Sequence, residues 1–140
     1  SGKQRMKSTF LFTTPELDDK LARIQKAIRL SMNGVVADSM KDHGLHYKKN
    51  YGVTTLRLKE IARDYAQDLP LADRLWLLGI RETMLLATLL APATGFPEGK
   101  AKKWSIDCTN QELIEQACMN LFQHLPYAVP FAMECIMNTE

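Results

Sequence analysis

Two short stretches of the chain mix cations with aromatic rings, the combination that suits a polyanion carrying stacked bases. One holds His46, Tyr47, Lys48, Lys49 and Tyr51; the other holds Lys100, Lys102, Lys103 and Trp104. Lysine ammonium groups neutralise phosphates and release condensed counterions, and flat rings stack on exposed bases. On one concave face the two stretches form a track for nucleic acid. The same residues also read as two solvated loops whose rings anchor them to the core. Other chemistries have little support. His43 and His46 are three apart, but Gly44 between them breaks the helix that would hold both on a common face. Cys108, Cys118 and Cys135 are scattered, so no metal site is expected. No glycine-rich phosphate loop occurs, Cys118 and His124 pair as nucleophile and base by count only, and no cofactor is expected.

The elements that must position these residues are helices. Residues 44–90 carry the densest set of consistent signals, reading as one loop and three helices. Thr54 stands where an N-cap belongs. Leu58, Ile61, Ala62, Tyr65 and Leu69 then recur at three- and four-residue steps, with Arg57, Lys59, Glu60, Arg63 and Asp64 on the other face. Pro70 is expected to end that helix, a second runs over 71–78 with Leu71, Leu75 and Leu78 inward, and Gly79 stops it. A third helix over 80–91 is nearly apolar after Glu82 and must be covered on most sides.

Upstream, residues 1–12 are expected to be partly mobile. Thr14, Pro15 and Glu16 open a helix whose stripe is Leu17, Leu21, Ile24, Ile28 and Met32. A further helix over 35–42 is expected to turn Val36 and Met40 inward. Downstream, residues 92–103 read as a flexible loop, since prolines, glycines and lysines there oppose a helix. Thr109, Asn110, Gln111 and Glu112 fit a capping box ahead of Leu113, Ala117, Leu121 and Phe122. The apolar tail after Leu125 needs a cover, which predicts packing on the preceding helix and a homodimer through a C-terminal helix. No segment alternates at period two, so no strand is expected and the fold class is all-α.

With 140 residues the chain reads as one domain burying about two-thirds of its unfolded surface. A hydrophobic fraction of 46% with 24% charged residues is that of a soluble globular protein, and no apolar run is long enough for a membrane span. The formal charge of +2 is too small to imply nucleic acid by itself, so placement of the charges must decide. Ser1 and Gly2 read as a remnant of tag removal with no secretory signal after them, and the odd cysteine count fits reduced thiols; the expected location is the cytoplasm.

Over about residues 30–92 the chain resembles the DNA alkylation repair family, the HEAT-like repeat alkylpurine DNA glycosylases. The resemblance is carried by Tyr51, Gly52 and Val53, then Leu56 and Arg57 with Ala62 and Arg63, then Leu75, Trp76, Gly79, Glu82, Leu86 and Ala87, in the family's order. It implies an α-α superhelix, here of about three stacked repeats, and double-stranded DNA as partner through its phosphate backbone. In the family a catalytic aspartate follows a tryptophan by four residues, on the helix pair after the matched stretch. This chain departs there: Tyr127 and Phe131 have the spacing, no aspartate occurs between 121 and 135, and Glu134 is the acid present. Trp104 and Asp107 are three apart and are expected in a loop. Asp107 and Glu134 are therefore the candidate catalytic residues. The leading expectation is a non-catalytic binding module; the alternatives are an active alkylpurine DNA glycosylase and a protein-interaction scaffold built on the apolar tail.

Overall fold

The structure, a computed structural model, describes residues 13–129. Its first helix, α1 (Pro15–Leu30), begins as the sequence dictates: Thr14 accepts from the Leu17 amide at 3.1 Å, and Pro15 in the first turn gives up no bond. Leu17, Leu21, Ile24 and Ile28 are buried. Met32 is not; the helix has ended by then, and it lies 60% exposed. Asn33 caps α2 (Gly34–Asp42) by accepting from the amides of Val35 and Val36. This short helix buries no residue fully, and Val36 and Met40 are half-buried rather than turned into the core.

Thr54 caps α3 (Thr55–Ala62), accepting from the Arg57 amide at 3.1 Å. The helix stops seven residues before the point expected. Gln67 donates its side-chain amide to the carbonyls of Leu89 and Ala91, and the Asp68 amide donates to Leu90, so long-range bonds pull the intervening segment out of helical register. Pro70 therefore opens α4 (Leu69–Leu77) instead of closing its predecessor, which suits a residue with no N–H to lose in a first turn. Leu71, Ala72, Leu75 and Trp76 are buried on α4, while Leu78 falls past its end and is 40% exposed. Gly79, at φ 70°, turns the chain into α5 (Arg81–Leu90).

The expected flexible loop over 92–103 is only partly a loop. Pro97 is the N-cap of α6 (Glu98–Asp107), so its missing donor is no loss there, and only Gly99 disfavours the helix beyond it. Lysines are good helix formers, and burial of Ala101 and Trp104 outweighs the cost of Gly99. Asn110 then caps α7 (Gln111–Asn120), accepting from Leu113, which starts that helix one residue later than a box on Thr109 requires. A single 3-10 turn, Phe122–His124, follows.

The architecture is all-α, with seven α-helices among the described residues and one isolated bridge, Lys49 to Ile80, in place of any strand. Helix α5 is its axis. It packs on α3, α4 and α7, and α1 lies across α3 and α4. Among the described residues no helix is long and apolar enough to cross a membrane. The expectations placed on residues 1–12 and on the tail, including Phe131, Glu134 and the homodimer helix, lie outside the described residues.

Candidate functional site

Helices α4 and α6 form the walls of an open groove of about 660 Å³. Leu69, Pro70, Trp76, Leu77, Pro97 and Trp104 make it largely apolar, and Asp73, Arg74, Lys100, Lys103 and Asp107 supply its charge. The walls are stapled to each other. The indoles of Trp76 and Trp104 stack at 4.3 Å with planes 2° apart, and Phe96 meets Trp104 edge-on at 5.0 Å. Trp76 donates Nε1–H to Asp107 Oδ2 at 2.9 Å, and Lys100 Nζ lies 2.6 Å from Asp73 Oδ1.

Four residues singled out from the sequence thus meet in one place: Lys100, Lys103, Trp104 and Asp107. Trp104 and Asp107 belong to α6 and not to a loop, because the register of a helix is what lets both face α4. Trp104 is 3% exposed, its ring committed to Trp76 and Phe96. Asp107 uses both oxygens, Oδ2 on Trp76 and Oδ1 on Lys103 Nζ at 2.6 Å. Lys102, on the same helix, is exposed.

The other basic stretch is held by a buried polar network. Arg81, 1% exposed, makes a two-pronged contact with Glu112, Nε to Oε1 at 2.8 Å and Nη2 to Oε2 at 3.0 Å. Its Nη1 donates to the Val53 carbonyl and to Glu82 Oε2. Glu82, with no exposed surface, accepts from the amides of Tyr51 and Val53, and Tyr47 donates its hydroxyl to Glu112 at 2.5 Å. Burial raises the Tyr47 phenol far above its ordinary value, and the Glu112 carboxylate raises it further. Burial alone would raise Glu112, but the hydrogen bonds from Arg81 and Tyr47 and the guanidinium charge hold it below the usual carboxylate range. Arg81 is likewise penalised by burial and yet raised, by Glu112 first and then Glu82. The network fixes the backbone of residues 47–53 and leaves Lys48 and Lys49 exposed, with Lys49 Nζ 5.1 Å above the Tyr51 ring.

The loop that holds the first basic stretch is tied to the segments that follow α6 and α4. Asn110, three residues beyond Asp107, donates its side-chain amide to the His46 carbonyl at 3.2 Å. The Lys49 carbonyl accepts from the Arg81 amide, just past the end of α4 that carries Trp76. Sequence reading missed Arg81, Glu82 and Glu112 as the organising charges. The signal was there in an Arg-Glu pair heading an otherwise apolar helix, since a charge in such a place must be paired. Among the described residues no cluster of three or more His, Cys, Asp or Glu could hold a metal ion.

A family model described as DNA alkylation repair enzyme matches residues 24–132, extending the resemblance seen around residues 30–92 on both sides. No curated protein and no solved structure matches the chain.

Proposed function

We propose, from the premise that the chain belongs to the DNA alkylation repair enzyme family, that it binds DNA through the phosphate backbone and does not itself cleave the glycosidic bond. Lys48 and Lys49 on the loop and Lys102 and Lys103 on α6 are the contacting cations, set on helix pairs stacked in the HEAT-like manner. What supports this reading is the Asn110 to His46 bond, which ties the segment following α6 to the loop that carries Lys48 and Lys49. Catalysis by Asp107 has less support, because Trp76 and Lys103 already occupy its oxygens. The test is duplex affinity against salt. Each phosphate neutralised contributes about 0.9 to the slope of log affinity on log salt. Replacing Lys48 and Lys49 by Gln reduces that slope, and no measurable affinity at low salt overturns the proposal.

One observation favours a second reading: the Asp107 carboxylate lines a groove beside two indoles, where it can stabilise an oxocarbenium-like state. Release of methylated purine from alkylated DNA by the protein, lost on Asp107→Asn, would establish that activity. Absence of release with the duplex bound supports the binding module.

A further inference from the structure

The last turn of α1 and the loop that carries Lys48 and Lys49 meet at Tyr51. The Tyr51 amide donates to Glu82 Oε1 at 2.9 Å, and its carbonyl accepts from the Asn33 amide at 2.8 Å, so its backbone is held from α5 on one side and from just beyond α1 on the other. Gln25 and Arg29, one turn apart on α1, line a recess of about 30 Å³ together with Tyr51, Ile80 and Thr83. Lys49 Nζ stands 5.1 Å above the same tyrosine ring, and the Lys49 backbone bridges to Ile80 at the edge of the recess. Two cations from separate elements thus border one tyrosine. Both are exposed, and among the described residues neither has an ion-pair partner. Glu82, the carboxylate that reaches Tyr51, has its oxygens taken by the amides of Tyr51 and Val53 and by Arg81. Like charges gathered without a countercharge repel each other, and an anion between them relieves the repulsion.

We propose that Arg29 and Lys49 hold one phosphate of the DNA backbone at the mouth of this recess, beside Tyr51. The recess has room for about one water, so the phosphate rests at its rim and not inside it. The contact rests on the DNA-binding reading and extends the path of the duplex from the loop onto α1, a helix to which that reading gives no role. A cation in the last turn of a helix also suits the helix dipole. That role is filled by Arg29 alone and asks nothing of Lys49.

Anisotropy titration of a labelled duplex at low salt tests the contact in the full chain, in Arg29→Gln, in Lys49→Gln and in the double variant, with Lys20→Gln as the control. Lys20 lies on the same helix, about 13 Å from Arg29 along its axis. Each single variant at the recess is expected to lose affinity, and the double variant to lose less than the product of the two, because both cations serve one phosphate. Lys20→Gln should bind as the unaltered protein does, and Arg29→Lys should recover most of what Arg29→Gln loses. Unchanged affinity in Arg29→Gln overturns the contact, and a lowered urea midpoint in that variant then assigns the residue to the helix dipole. Losses that multiply independently overturn it too, as does a loss in Lys20→Gln equal to that in Arg29→Gln, which marks a diffuse field. All of these outcomes leave DNA binding standing. An unaltered protein that binds no duplex removes the DNA reading itself, and this contact with it.

Discussion

Arg81 holds two carboxylates and a carbonyl from inside the core, so its contribution is read best from what its removal leaves behind. Arg81→Met strands Glu82 and Glu112 without a countercharge, and breaking a buried pair in this way costs about 3–5 kcal/mol, measurable by urea unfolding. The signs of the pKa shifts give a pH profile. Glu112 is held low, so its contribution is complete above the ordinary carboxylate range and is lost as pH falls through that range and below it. Tyr47 is held high, so its contribution is complete below about pH 10 and is lost as pH rises beyond. Stability measured against pH is expected to fall on both sides, with the acid limb flattened in Glu112→Gln and the alkaline limb flattened in Tyr47→Phe. A profile unaltered by either substitution would remove the network from this role.

At the scale of the element, what was legible was what is local. Thr14 and Thr54 cap their helices as read, because a cap is decided by the hydroxyl and amides within one turn. The helix α6 was illegible because its reason is distant: Trp104 is buried by Trp76, 28 positions earlier, and no nearest-neighbour rule carries that information. Glu112 was misread for the same cause, being turned from a cap partner into the anchor of Arg81. Gly52 shows how closely two elements approach. It stands at φ 72°, and a Cβ there would collide with the Asn33 carbonyl and the Ala37 amide of α2. Gly52→Ala is expected to destabilise by roughly 1–3 kcal/mol from backbone strain alone, with the clash in addition, read as a lowered denaturation midpoint. Trp104→Ala opens the α4 to α6 wall and is expected to cost about 3–5 kcal/mol.

For the molecule as a whole, all-α architecture was legible from periodicity, and the location of its basic segments was not. The link between the first of them and the segment after α6 is Asn110, reaching back 64 positions to His46. This contact gives a prediction at the same scale. Asn110→Ala removes both the α7 cap and the tie, so it costs about 1 kcal/mol of stability and also weakens duplex binding. An Asn110→Asp change keeps the capping oxygen but has no amide to offer His46, and is expected to retain stability while lowering affinity. Anisotropy titrations on the two variants separate the contributions.

The parallel indoles of Trp76 and Trp104 have a spectroscopic consequence. Chromophores 4.3 Å apart couple their electronic transitions, so the native protein should show an exciton couplet in circular dichroism, and either tryptophan replaced by phenylalanine should abolish it. Any ligand that prises α4 from α6 would extinguish the same signal, giving the molecule an intrinsic optical ruler between those two helices.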